Sequence, residues 1–299
     1  MSTIRTTPSS GVSSLVLAGV LWGTGGLLGS LFGEAAGLSS PAVAAYRLAV
    51  GGVVLLCCLF ATGGRLPRTR AAWARIVATG VLAAWFQAAY FTAVSLTSVS
   101  VATLVTIGSS PVLVLLVRPR SATRRAVAAV ALAVLGLVLL VGVPADGGPS
   151  AGAALAGAAC AVLAAAGFTL MSVLGARPVP GLDPVTTTGA GFTVGGALLL
   201  PVAATVSGVG FAPTPASVGL LLAFGVVPTA LAYTFYFRGL RTAPVGVGVL
   251  MALLEPLTAA VLAAVLLGDR LGVSGIAGGL LLAVALVLTA RGQARARRA

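Results

Sequence analysis

Residues 244–268, PVGVGVLMALLEPLTAAVLAAVLLG, carry a single charge, Glu255, near their centre. At about 1.5 Å per helical residue, a run of this length crosses a hydrocarbon core of roughly 30 Å. A carboxylate at that depth costs about 2.5–3.5 kcal/mol or more, so Glu255 is expected to face protein or a watered cavity, where it can be poised to exchange a proton. Pro256 beside it lacks a backbone N–H, which predicts a freed carbonyl at Ala252 and a bend in the helix.

The rest of the chain is built the same way. Of 299 residues, 59% are apolar and 8% charged, with a mean hydropathy of +1.12, far from the roughly one-quarter charged residues of a globular domain. Punctuation by Gly, Pro and Arg predicts an all-α polytopic membrane protein with ten transmembrane helices: 12–33, 41–62, 74–94, 98–117, 125–143, 152–174, 185–206, 216–237, 244–267 and 273–290. No length remains for a water-soluble domain. The first run exceeds a signal-peptide core and is expected to be retained.

Every basic residue is arginine, and sixteen of the eighteen fall before the first span, in alternate gaps or in the tail. They are Arg5, then Arg65, Arg68, Arg70 and Arg75, then Arg118, Arg120, Arg124 and Arg125, then Arg177, Arg238 and Arg241, and finally Arg291, Arg295, Arg297 and Arg298. The opposite side has Arg270 beside the acidic Glu34, Asp146 and Asp269. The positive-inside rule then puts both termini in the cytoplasm of a bacterial inner membrane. The net charge of +13 is accounted for by topology and anionic lipid headgroups, without nucleic acid. Cys57, Cys58 and Cys160 lie in apolar runs without metal-ligand spacing, and the chain has no histidine, so neither metal nor cofactor is expected. Gly23-Thr24-Gly25-Gly26 sits inside a span with no lysine beside it and is not a nucleotide loop.

An offset near 144 lays one half of the chain on the other. Gly37-Leu38 meets Gly181-Leu182, Val50-Gly51-Gly52 meets Val194-Gly195-Gly196, Ala89-Tyr90 meets Ala232-Tyr233, and Ser110-Pro111 meets Glu255-Pro256. Five spans per half is odd, so residues 1–147 and 148–299 are expected to be inverted repeats, with a substrate site near the midplane where they meet. Pro111 would then open the turn at Ile107 as Pro256 does at Ala252. Glycines at small-xxx-small spacing, Gly19, Gly23, Gly25, Gly29 and Gly33 on the first span and Gly275 and Gly279 on the tenth, suit close helix packing, with dimerisation or a sliding gate as alternatives.

Trp22-Gly23, Pro41 with Arg47, Leu254-Glu255-Pro256 and Leu267-Gly268-Asp269-Arg270-Leu271 together resemble the ten-helix EamA-type branch of the drug/metabolite transporter superfamily. The resemblance covers the whole chain. It implies two five-helix repeats, a central cavity and export of small metabolites such as amino acids, or of drugs, commonly against a proton gradient. Two departures stand out: Asp269 replaces a glutamate usual after the ninth helix, and Leu116-Val117-Arg118-Pro119-Arg120 lacks the matching acid after the fourth.

Proton coupling or gating is assigned to Glu255, Pro256, Arg47 and Pro111, against a plain reading of Glu255 as a protonated group supporting a kink. Arg47 lies about 9 Å into the second span by helical rise. It can pair with Glu255 or Glu34, contact a substrate carboxylate, or snorkel. Substrate binding is assigned to Trp22, Thr24, Trp85, Gln87, Tyr90, Thr106, Ser110 and Tyr233, with Ser109, Thr169 and Ser172 also at midplane levels and Tyr236 with Tyr233 nearer the cytoplasm. Few charges and many rings suit a zwitterionic or mildly amphipathic solute, although helix packing is open for each. The cavity is expected between the first, third, fourth, sixth, eighth and ninth spans, partly shielded by the second and seventh. The leading reading is a non-enzymatic secondary transporter whose partners are a small-molecule substrate, protons and lipid, as monomer or homodimer. An uncoupled facilitator or channel is the alternative, and an intramembrane enzyme lacks its usual His or Asp cluster.

Overall fold

The computed structural model describes residues 9–119, 122–141, 150–267 and 272–296. Among them are ten helices long and apolar enough to cross a membrane: Gly11–Ala36, Ser40–Ala61, Arg70–Leu96, Val99–Val117, Arg124–Val141, Ala151–Gly175, Pro184–Val206, Pro215–Leu240, Val245–Leu266 and Val273–Gly292. In lipid every backbone polar group needs an internal partner, and runs of Ala, Leu, Val and Gly provide it only as helix. The predicted spans agree closely. Arg5, Arg120, Asp146, Arg297, Arg298 and the Gly268-Asp269-Arg270-Leu271 stretch lie outside the described residues.

Several starts are set by side-chain caps. Thr69, Ser98, Ser150 and Asp183 accept the N–H of Ala72, Val101, Ala153 and Thr186 at 3.3, 3.2, 3.3 and 2.9 Å, each satisfying a first-turn donor. Thr214 and Ser217 form a reciprocal capping box. The left-handed turns recur at the sequence offset: Gly37 (φ 63°) answers Gly181 (74°), and Gly63 (76°) answers Gly208 (77°).

The packing follows the same correspondence. The second span lies on the seventh and the fifth on the tenth; the third and fourth flank the sixth as the eighth and ninth flank the first. Glycines permit the crossings. A Cβ on Gly52 would collide with the Thr193 nitrogen, and one on Gly196 would come within 2.6 Å of the Ala49 Cα. Likewise a Cβ on Gly51 would be 2.7 Å from the Gly225 carbonyl, and one on Gly195 would be 3.0 Å from the Gly80 carbonyl. Outside this core, large apolar side chains such as Val265 and Leu155 stay 74% and 75% exposed, as a lipid-facing surface requires.

Two spans are interrupted and two carry a π-helical turn, the ninth at Ala263–Leu267 as well as the eighth. The first breaks at Thr24, between Ser9–Gly23 and Gly25–Ala36. The ninth breaks at Ala252 and Leu253, between Val245–Met251 and Leu254–Leu262. The eighth carries a π-helical turn, Val226–Leu231, around Pro228. The expectation of a freed Ala252 carbonyl is corrected here. The Pro256 nitrogen cannot reach it, so the chain tightens and the Glu255 N–H donates to it at 2.9 Å. The fourth span, unlike the ninth, runs unbroken as α-helix from Val99 to Val117 around Pro111, whose nitrogen has no hydrogen to give the Ile107 carbonyl.

Candidate transport cavity

The two interruptions meet. A Cβ on Gly19 would clash with the Met251 carbonyl, and one on Gly23 would lie 2.9 Å from the Glu255 carbonyl and against Thr258. The glycine series of the first span therefore docks its helix on the main chain of the broken ninth, and this fixes Glu255 in place.

Above that junction is a cavity of about 620 Å³. Its upper wall comes from the Gly33–Ser40 connection and from Val94 and Val99, and its deep end from Trp22, Tyr233, Ala252 and Glu255. Its lining reaches the end of the bundle that carries the 37–39 turn, opposite the arginine-bearing connections that follow the second, sixth and eighth spans.

Of the predicted residues, Trp22, Arg47, Gln87, Tyr90, Thr106, Ser110, Tyr233 and Glu255 line this one space. Pro256 and Pro111 are buried beside it. Thr24 occupies the break in the first span, its hydroxyl donating to the Leu21 carbonyl at 2.7 Å. Trp85 falls on the outer face, 52% exposed, with Nε1 donating to the Leu163 carbonyl at 3.1 Å. Neither lines the cavity. The second span is also more than a shield, since Ser40, Val43 and Arg47 form part of the wall.

Arg47 has its guanidinium carbon 5.5 Å from the centroid of the Phe224 ring and lies against the Tyr233 hydroxyl. No ion-pair contact joins it, among the described residues, to Glu255 in the same wall. The wall hydroxyls are already engaged. Tyr90 shares a 2.7 Å hydrogen bond with Thr103, Thr106 donates to the Ala161 carbonyl at 3.2 Å, and Ser110 donates to the Thr106 carbonyl at 2.8 Å. Three nitrogens are not: Trp22 Nε1, Arg47 Nε and Gln87 Nε2 are buried without a hydrogen-bond partner.

The family model of EamA-like transporters matches the chain twice, over residues 9–142 and 155–291. The chain belongs to the EamA-like transporter family. An uncharacterized transporter of Bacillus subtilis (strain 168), YwfM, is 28% identical over 282 residues, covering 92% of this chain and 91% of that protein. A crystal structure of a further protein shares the fold with a TM-score of 0.79, at 21% identity over 95% of this chain and 99% of the other. The chain is thus a multi-pass membrane transporter.

In this EamA-like chain the cavity is closed below by rings that sequence reasoning only partly found. Trp22 sits 4.9 Å from both Tyr233 and Tyr236 and 5.9 Å from Phe168, by ring centroids. Tyr236 is fully buried and shares a 2.7 Å hydrogen bond with Ser172. Phe86, Phe168 and Phe224 in the wall were missed. The spacing of Phe86 to Tyr90 and of Phe168 to Ser172, four residues on one helix in each case, was the available signal for two of them.

Proposed function

We propose that this EamA-like chain is a secondary active transporter that exports small amphipathic metabolites, amino acids or drugs among them, in exchange for protons by alternating access. One observation carries the reading: Arg47 and Glu255, both charged types set within membrane spans, line one cavity over a layer of packed rings. Packed rings beneath a cavity close it from one side, as alternating access requires at each half-cycle.

Glu255 is the proposed proton carrier, with Pro256 and Pro111 shaping the helices around it. Trp22, Gln87, Tyr90, Thr106, Ser110 and Tyr233 are the proposed substrate wall. Residues 1–147 and 148–299 are read as inverted repeats. The paired positive-φ glycines, the reciprocal Gly52–Thr193 and Gly196–Ala49 contacts and the double family match support this. With the arginine-rich connections cytoplasmic in a bacterial inner membrane, the cavity faces outward. Exchanging the conformations of the two repeats would then open a path between the sixth to ninth spans and close this one. An inward proton gains about 2.3 kcal/mol per 100 mV, which drives solute the other way.

The test has two parts. Metabolite profiling of medium from cells with and without the gene identifies the exported solute. Flux of that solute in proteoliposomes should collapse when the pH gradient is dissipated. Flux that persists unchanged would make the protein an uncoupled facilitator.

A further inference from the structure

A second hollow, of about 310 Å³, lies between the first, seventh and eighth spans at the arginine-bearing end of the bundle, with Arg238 and Arg241 in its wall. A narrow crevice shares Arg241 and Pro184 with it and adds Arg75 and Arg177. Four arginines, from the head of the third span, the connection after the sixth and the end of the eighth, thus surround residues 177–184. Two of them are anchored on the main chain: Arg75 Nη1 donates to the Arg177 carbonyl at 2.6 Å, and Arg241 Nη2 donates to the Leu182 carbonyl. The acid on this wall, Asp183, is already engaged, since its two carboxylate oxygens accept from the Thr186 N–H at 2.9 Å and the Thr186 hydroxyl at 2.6 Å. Among the described residues no ion pair reaches any of the four arginines. Membrane topology requires only that arginine lie on this side. It does not require guanidinium groups from three places to be gathered around one hollow, where like charges repel.

We infer that this hollow binds a phosphate group, presented by an anionic phospholipid headgroup of the adjoining leaflet or by a soluble phosphate ester, with Arg238 and Arg241 as its main ligands. Guanidinium forks suit phosphate oxygens and keep their charge at any working pH. Arg238 spends no side-chain N–H on the protein among the described residues, and Arg241, held to Leu182 through one nitrogen, has others to give. Basic pockets between spans on the cytoplasmic side are where anionic headgroups seat. Pro184, Thr234 and Arg238 in this hollow stand 144 residues after Ser40, Tyr90 and Val94 of the transport cavity. On the repeat reading above, the hollow is therefore the counterpart of the cavity's upper wall at the other end of the bundle. A phosphate held there ties the seventh and eighth spans together and stabilises the folded chain.

The experiment is thermal unfolding of the purified, delipidated full-length chain in neutral detergent. Dioleoylphosphatidylglycerol, dioleoylphosphatidylcholine or inorganic phosphate is titrated in at constant ionic strength. Tm should rise saturably with a phosphate-bearing anion. Saturation by phosphatidylglycerol alone assigns the site to a lipid headgroup, and saturation by inorganic phosphate assigns it to a soluble phosphate group. Arg238→Gln should raise the midpoint of the titration about five-fold, roughly the worth of one arginine beside a headgroup. Arg65→Gln removes an equal charge from the connection after the second span, outside the hollow, and should leave the midpoint unchanged. Arg241→Gln should act like Arg238→Gln; should it fail to fold for want of its bond to Leu182, Arg238→Gln decides the point. Three results would each overturn the site. One is no saturable stabilisation by phosphate, with phosphatidylglycerol no better than phosphatidylcholine. The others are an unchanged midpoint in Arg238→Gln and an equal rise in Arg65→Gln. Binding is read on the resting chain, so the result stands apart from proton coupling and transport.

Discussion

Gly23 sits so close to the main chain of Glu255 that a Cβ there would lie 2.9 Å from the Glu255 carbonyl oxygen. The first and ninth spans thus meet backbone to backbone where both are interrupted. Gly23→Ala must separate them by several tenths of an ångström and carry Glu255 with the shift. Transport should fall at least about ten-fold while the protein still inserts and folds, since overpacking typically costs about 1–3 kcal/mol. Gly219→Ala, with nothing within 4 Å of its Cβ, should retain wild-type flux. Equal flux in both variants would remove the docking role.

The crossing of the second and seventh spans gives a stability prediction. Gly52 and Gly196 are images at the 144 offset, and so are the residues they approach, Thr193 and Ala49. Gly52→Ala and Gly196→Ala should each lower unfolding stability in detergent by about 1–3 kcal/mol. Their combination should cost less than the sum, because one displacement of the helices relieves both clashes. Fully additive losses would count against a shared crossing.

The spans themselves were legible because the bilayer demands one length and one kind of residue, so the boundaries from Ser40–Ala61 to Val273–Gly292 could be read almost directly. Side-chain direction was harder. Trp85 and Gln87 are two residues apart on one helix, and residues so spaced face different ways. Only one of them could enter the cavity, and Gln87 shares that face with Tyr90, three residues on. Trp22 and Thr24 divide for the same reason: Trp22 lines the cavity and Thr24 sits at the break of its helix. Hydropathy contains no signal for the π turn at Pro228 or the tightened turn at Ala252, since both change the register of backbone hydrogen bonds without changing composition.

The seal beneath the cavity should respond to loss of one hydrogen bond. Tyr236→Phe keeps the ring stack and removes the 2.7 Å link to Ser172, worth about 1 kcal/mol. A cysteine at Val247, the image of cavity-lining Thr103 at the same offset, should line the path opened when the seal parts. In a background lacking Cys57, Cys58 and Cys160, its labelling by an impermeant maleimide from the arginine-rich side should rise about five-fold in Tyr236→Phe. Unchanged labelling would show that the seal is held elsewhere.

Glu255→Gln separates a proton carrier from a structural support. The amide is nearly isosteric, and the tight turn that places it depends on the Glu255 backbone N–H and on Pro256, which the variant leaves intact. If the carboxylate exchanges protons, Glu255→Gln should fold normally and lose pH-gradient-driven flux, while counterflow of substrate against substrate persists, because that half of the cycle needs no proton. Pro256→Ala makes the opposite prediction. It restores the N–H that can reach the Ala252 carbonyl, lets the ninth helix straighten, and should depress counterflow and driven flux alike by moving the helix that Gly19 and Gly23 pack against. Both fluxes can be measured in the same proteoliposomes. Wild-type driven flux in Glu255→Gln would take the carboxylate out of the mechanism and leave residues 253–260 as a packing joint between the first and ninth spans.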